Sequence, residues 1–120
     1  MQLPPELEAL YRNCPPLPSA YVAEVLGLSG KTAEKVTRIH GGIHADEAGL
    51  LGRLTAEVAP ESTLEIGLGH GFSAMAICLA AGQQVPAHRH TVIDPHQFSY
   101  WRGRGMAHLA TAGLADRVTL

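Results

Sequence analysis

The fold of this chain is decided by residues 63–73, which read Thr-Leu-Glu-Ile-Gly-Leu-Gly-His-Gly-Phe-Ser. A short apolar run contains an acid, Glu65, and is followed by glycines at alternate positions, Gly67, Gly69 and Gly71. Glycines at the carboxyl end of a strand leave room for a ligand on the backbone, because a Cβ would occupy that space. Ligands of open α/β sheets bind in the crevice outside the carboxyl ends of the strands. The stretch therefore predicts a strand, a ligand-binding loop and then a helix.

The spacing of the glycines distinguishes between kinds of ligand. A dinucleotide fingerprint reads G-x-G-x-x-G, and counting from Gly67 its third glycine position holds Phe72. A phosphate-binding P-loop ends in Gly-Lys-Ser/Thr, and this loop contains no lysine. The pattern that fits is acid-x-G-x-G-x-G, from Glu65 to Gly71. A tight strand-to-helix turn that binds nothing is the alternative interpretation of the same residues.

A second acid follows the next predicted strand. Residues 91–95 read Thr-Val-Ile-Asp-Pro, which is typical of a short buried strand ended by an acid and a proline. In a parallel sheet this strand lies beside the first, so Asp94 would reach the same crevice. A carboxylate there can accept hydrogen bonds from the hydroxyls of a ribose. The alternative is a turn acid before proline.

These residues resemble the first two motifs of class I S-adenosylmethionine-dependent methyltransferases. The stretches 41–51, 93–105 and 112–120 are similar to bacterial small-molecule O-methyltransferases, so the likeness covers roughly residues 40–120. The resemblance implies an α/β, Rossmann-like methyltransferase fold. It also implies S-adenosylmethionine as the cofactor, a small-molecule acceptor and an enzyme that transfers a methyl group.

The resemblance assigns site residues one by one. Glu65 would interact with the methionine ammonium, and Asp94 would hold the ribose hydroxyls. The backbone of Gly67, Gly69 and Gly71 would lie close to the cofactor. By their positions, His70 inside the loop would border the cofactor, and His96, two residues after Asp94, would hydrogen-bond its ribose or adenine. A solvent-facing loop histidine is the alternative for His70. No catalytic residue is assigned, because the groups for acceptor recognition, a base or a divalent metal lie on later strands in the resembling family.

The resemblance also predicts a truncated fold. In this family the strand order is 3-2-1-4-5-7-6, and the chain would supply strands 1 and 2 and the start of strand 3 at Val118. We therefore expect the amino-terminal half of a longer protein, which by itself would bind the cofactor poorly and be inactive. A finished domain of 120 residues is the alternative. Residues 1–40 would form a helical segment and residues 41–120 a partial S-adenosylmethionine-binding domain.

Helices are predicted from proline, acid and apolar spacing. Short helices are expected over residues 4–12, from Ser19 to Gly27 and from Lys31 to Ile39. Longer ones are expected from Asp46 to about Val58, over residues 72–81 and around residues 99–112.

Composition narrows the function classes. The chain has 120 residues, of which 46% are hydrophobic, and a formal net charge of −2. There is no basic run to indicate nucleic acid and no apolar run of about 18 residues to span a membrane. Cys14 and Cys78 are expected to be buried free thiols in a reducing cytoplasm. Seven histidines lack an established zinc spacing, so no metal site is predicted.

Two other functions stay open at this point. One is a nicotinamide-dinucleotide-binding oxidoreductase, which Phe72 at the third glycine position disfavours. The other is a non-catalytic Rossmann-like interaction module. The oligomeric state and the acceptor, including oxygen or nitrogen methylation, cannot be predicted from the residues.

Overall fold

The structure alternates helices and parallel strands, as the sequence predicts. It is a computed structural model in which residues 2–15, 27 and 42–120 are described. The two helices expected between Ser19 and Ile39 lie outside the described residues, and so does the boundary expected at residue 40. The elements in chain order are α1 (Pro5–Asn13), α2 (Ala45–Val58), β1 (Ser62–Ile66), α3 (Phe72–Gln84), β2 (Arg89–Ile93), α4 (Arg104–Thr111), a 3-10 turn (Ala115–Arg117) and β3 (Val118–Thr119).

The strands form one parallel sheet in the order β1-β2-β3. In the register of β1 and β2, Ile66 lies opposite Ile93, so both strands end at the same level. The backbone N–H of Gly67 continues the ladder by donating to the carbonyl of Ile93 at 2.8 Å. The glycine loop and Asp94 therefore leave the sheet side by side, which confirms the predicted placement.

Within the described residues, helices cover one face of the sheet and leave the other open. Helix α3 packs against β2, α2 and α1 pack on α3, and their apolar side chains form the core. On the opposite face Leu64, Ile66 and Ile93 are 65%, 81% and 52% exposed. The buried hydrophobic members of the core are Leu7, Leu10, Ala48, Leu68, Phe72, Ala74, Met75, Ala76, Cys78, Val92, Leu109, Leu114 and Val118.

Helix α1 belongs to this core. Pro5 begins the helix, where its missing N–H costs nothing because the first N–H groups of a helix have no partner within the helix. The carboxylates of Glu6 and Glu8 in the first turn interact favourably with the positive end of the helix dipole. Leu7 and Leu10 are buried. The ring of Tyr11 stacks on that of Phe72 with centroids 4.3 Å apart. Tyr11 also donates its hydroxyl to the carbonyl of Ile43 at 2.7 Å, which fixes the segment that precedes α2.

The predicted start of the last helix is wrong. A helix was expected from about residue 99, whereas α4 begins at Arg104 and residues 95–103 form turns. The reason is that Arg102 and Gly103 have φ angles of 55° and 71°, in the left-handed region that interrupts a right-handed helix. None of the helices within residues 2–15 and 42–120 has the length and apolar character needed to cross a membrane.

Candidate functional site

The glycine loop between β1 and α3 has a backbone that only glycine adopts easily. Gly67, Gly69 and Gly71 have φ angles of 88°, 55° and 90°, so a side chain at each would be strained. The N–H of Gly71 donates to the carbonyl of Leu68 at 2.8 Å and closes the turn. Helix α3 starts directly afterwards at Phe72. The loop is therefore a rigid, tightly wound strand-to-helix connection.

The three glycines differ in what surrounds them. Among the residues that the structure describes, none would lie within 4 Å of a Cβ at Gly67, so this part of the fold leaves its backbone open to a ligand. At Gly69 a Cβ would lie 3.6 Å from the ring of Trp101. At Gly71 it would lie 3.2 Å from the carbonyl oxygen of Gly105, because the loop and α4 touch backbone to backbone. Within the described residues, Gly67 has the most open surroundings of the three, and ligand contacts at Gly67, Gly69 and Gly71 all stay predictions.

Asp94 holds the glycine loop through its carboxylate. Its Oδ2 accepts hydrogen bonds from the N–H groups of Leu68 and Gly69, at 3.0 and 3.1 Å. Oδ2 also accepts from Nε2 of Gln97 at 3.3 Å, while Oδ1 accepts, among the described residues, from the N–H of His96 at 3.0 Å. Burial by itself would raise the pKa of Asp94, but these donors outweigh it and the pKa is lowered. The carboxylate is therefore ionised, and Oδ1 keeps a lone pair for a further donor.

Gln97 is a site residue that the sequence analysis missed. Its side chain is fully buried, and Nε2 donates to the carbonyl of Gly69 at 3.0 Å as well as to Asp94. Its Oε1 accepts from the N–H of Met106 at 3.3 Å. The amide thus joins the loop, the end of β2 and helix α4. The only signal for it is an amide three residues after a strand-ending acid, which is a common surface pattern.

A cavity of about 290 Å³ opens beside the loop. Four of the predicted site residues line it: Gly67, Gly69, His70 and Asp94. The ring of His70 is buried and meets that of Trp101 edge to face, with centroids 5.0 Å apart. The remaining lining residues are Gly42, Ile43, Ile66, Leu68, Phe72, Ser73 and Trp101.

Glu65 and His96 lie apart from this lining. Glu65 points to the covered face of the sheet, and its Oε1 is 3.5 Å from Nε2 of the buried His90. His96 is exposed, and its described contact with the site is the backbone N–H that Asp94 accepts. Their predicted contacts with a cofactor therefore stay predictions.

Beneath Glu65 lies a buried polar cluster that the sequence did not indicate. The hydroxyl of Thr63 is 2.8 Å from Nε2 of His88 and 2.7 Å from Nδ1 of His90. Burial, followed by the neighbouring His90 and Arg117, lowers the pKa of His88. Both rings belong to the support of the sheet, because the cavity lies at the other end of β2.

Comparison with known proteins places the fold. No family model matches the chain, and no curated protein matches it by sequence. Among solved structures it is similar to cofactor-bound Rv0187 from MTB, at 22% identity and a TM-score of 0.59 over 98% of this chain and 43% of that one. It is also similar to the O-methyltransferase TomG from Streptomyces achromogenes in complex with SAM, at 19% identity and a TM-score of 0.62 over 98% of this chain and 42% of that one. A third similar structure is the O-methyltransferase from Bacillus cereus in complex with SAH, at 20% identity and a TM-score of 0.58 over 83% of this chain and 46% of that one.

The fold is thus an α/β fold of the Rossmann-like class. More narrowly, it is the methyltransferase form of that fold, with the parallel sheet and flanking helices that the sequence predicted. The chain spans less than half of the length of each of these three similar structures.

Proposed function

We propose that this chain carries the S-adenosylmethionine-binding part of an enzyme that methylates a small-molecule acceptor. The observation that carries the proposal is the open backbone of Gly67 at the mouth of the loop cavity, where β1 and β2 end. Two structures that share the fold are O-methyltransferases in complex with SAM or SAH. The free thiols of Cys14 and Cys78 favour a reducing, cytoplasmic setting.

The residues of the cavity fit this cofactor. Gly67 leaves space that a Cβ would take, and Oδ1 of Asp94 can accept a hydrogen bond from a ribose hydroxyl. The described lining contains one ionised carboxylate and neither lysine nor arginine. Such a lining suits a ligand with a positive sulfonium and no phosphate. A dinucleotide fingerprint would have a third glycine where this loop has Phe72, which favours the methyl donor over the nicotinamide alternative.

The part of this chain in the reaction would be binding and alignment. The bound cofactor supplies an electrophilic methyl group. Gly67 and Asp94 would fix the nucleoside end, while Trp101 and His70 close one side of the cavity. Alignment of donor and acceptor supplies most of what such a transfer needs, with a base added where the acceptor is a hydroxyl. No residue of this chain is assigned as that base.

A matched pair of variants tests the binding site. Ile66 and Leu64 lie on the same exposed face of β1, but of the two only Ile66 lines the cavity. Ile66→Trp would fill the cavity and should weaken binding of S-adenosylhomocysteine at least about tenfold in a calorimetric titration, a loss of roughly 1.4 kcal/mol. Leu64→Trp should leave the affinity unchanged.

The same titration discriminates between the functions. Binding of S-adenosylhomocysteine that falls in Ile66→Trp alone supports the methyltransferase. Binding of NADH in place of S-adenosylhomocysteine would instead support the nicotinamide-dependent oxidoreductase. Because the chain spans less than half of the length of these similar structures, the titration uses the whole protein that contains it. Binding of neither ligand would then favour the interaction module.

A further inference from the structure

We propose that Cys14, His70 and His108 form a binding site for zinc. Their ligand atoms, Sγ of the cysteine and a ring nitrogen of each histidine, all lie within 4.8 Å of one another. The three residues come from the carboxyl end of α1, from the glycine loop and from α4. Because up to 94 positions separate them in the sequence, no spacing motif could have revealed the cluster. The expectation of no metal site rested on such motifs alone.

The ring of His108 is held by a hydrogen bond that leaves one nitrogen for a metal. Its Nδ1 lies 2.7 Å from the backbone carbonyl oxygen of His70. A carbonyl oxygen can only accept, so Nδ1 carries the hydrogen and the neutral ring presents the lone pair of Nε2. Metal-binding histidines typically donate their second N–H to a carbonyl or carboxylate in this way. The hydrogen bond therefore fixes both the tautomer and the direction of the ring.

The distances need only a small closure. Zinc bonds of about 2.3 Å to sulfur and 2.0–2.1 Å to nitrogen put tetrahedral ligand atoms about 3.3–3.6 Å apart. The observed limit of 4.8 Å thus requires atoms to approach by about 1–1.5 Å. Cys14 is half-buried at the end of α1, whereas His70 is buried among rings. A change of rotamer at the half-buried Cys14 is a movement that can bring its sulfur closer to the two rings.

The donor set selects the ion. One thiolate and two imidazoles are borderline-soft ligands, which suit zinc and disfavour magnesium or calcium. Three protein ligands also leave a fourth position for water or another ligand. Cys14 and His108 line a cavity of about 380 Å³ between α1, α3 and α4, which gives that position access. Through His70, the ion would connect α1 and α4 to the loop of the proposed cofactor site.

The test is metal titration of the purified, reduced protein. Zinc chloride should bind with one equivalent per chain, and cobalt(II) should give the thiolate-to-metal charge-transfer band in the near ultraviolet. Cys14→Ser and His108→Gln should each weaken zinc binding at least about tenfold, because even outer-shell changes cost 10–100-fold. Cys78→Ala removes the other thiol, which is buried in the core, and should keep both signals. Circular dichroism checks that each variant is folded.

Three outcomes would overturn the proposal. They are absence of the cobalt band in the wild-type protein, equal zinc affinity in wild type and both ligand variants, and loss of the band in a folded Cys78→Ala variant. Where a ligand variant does not fold, the rate of alkylation of Cys14 in the wild-type protein is measured with and without zinc. Bound zinc should protect the thiol and slow the reaction, and an unchanged rate would refute the site. These signals do not depend on S-adenosylhomocysteine, so the zinc site and the proposed function stand or fall separately.

Discussion

Replacing Asp94 with asparagine tests how the cofactor loop is held. The carboxylate accepts four hydrogen bonds, three at Oδ2 and one at Oδ1. An asparagine can offer its oxygen to the three donors, but its NH₂ group then faces the N–H of His96. One charge-assisted bond is lost, worth about 1.5–3 kcal/mol, and the others become neutral. We expect Asp94→Asn to lower the free energy of unfolding by about 2–4 kcal/mol.

Urea unfolding followed by tryptophan fluorescence measures this loss. The chain has a single tryptophan, Trp101, and its ring packs 3.6 Å from the Cβ position of Gly69 in the loop itself. Asp116→Asn, at an exposed acid, is the matched control and should stay within about 0.5 kcal/mol of wild type. A change equally small for Asp94→Asn would refute the idea that this carboxylate anchors the loop.

The same anchor predicts an acid dependence. The hydrogen bonds to Asp94 outweigh the effect of burial and hold its pKa in the folded protein below the ordinary value of 3.8. A lowered folded-state pKa gives stability that is present above the unfolded value and lost as the pH falls through the folded one. Wild type should therefore lose this contribution below about pH 3.8, and Asp94→Asn should lack that part of the acid transition.

Three further outcomes follow from the core and the loop. Gly71→Ala and Gly113→Ala both place a side chain at positive φ, a strain of about 1–2 kcal/mol. Gly71→Ala should lower the free energy of unfolding in urea more, because its Cβ also meets backbone at 3.2 Å, whereas no described atom lies within 4 Å of a Cβ at Gly113. The pKa of His88 is lowered in the folded protein, so its contribution to stability is complete above the unfolded-state pKa of 6.5 and is lost as the pH falls. The melting temperature should therefore drop between about pH 7 and 5, and it should drop less in His88→Gln. Burial raises the pKa of Cys78 to about 12, so mass spectrometry should find Cys14 alkylated well before Cys78 in the native protein, and equal rates would contradict this packing.

The fold could be predicted because local sequence patterns indicate where its strands and helices lie. Alternate glycines after a short strand and an acid after the next one identify both strand ends, and the parallel register follows from the strand-helix-strand alternation. The start of α4 could not be predicted in the same way. The apolar spacing around Met106 and Leu109 continues towards residue 99, but left-handed residues at 102 and 103 stop the helix.

The site was predicted only in part, because the missing pieces depend on tertiary contacts. The sequence places Asp94 at the loop, and the structure shows that the loop itself supplies most of its donors. Gln97 looks like an ordinary surface amide until α4 packs over it. The direction of Glu65 is set by strand alternation, which points it towards His90 on the covered face of the sheet.

The contact between Gly71 and Gly105 has a consequence for motion. Side chains in contact can change rotamer and absorb a displacement, whereas two backbones that touch without side chains cannot. A displacement of the loop should therefore displace α4 as well, so we expect the two segments to move together. Amide hydrogen exchange should show it: a ligand held only by the loop would slow exchange along α4 as well, far from any atom that it contacts.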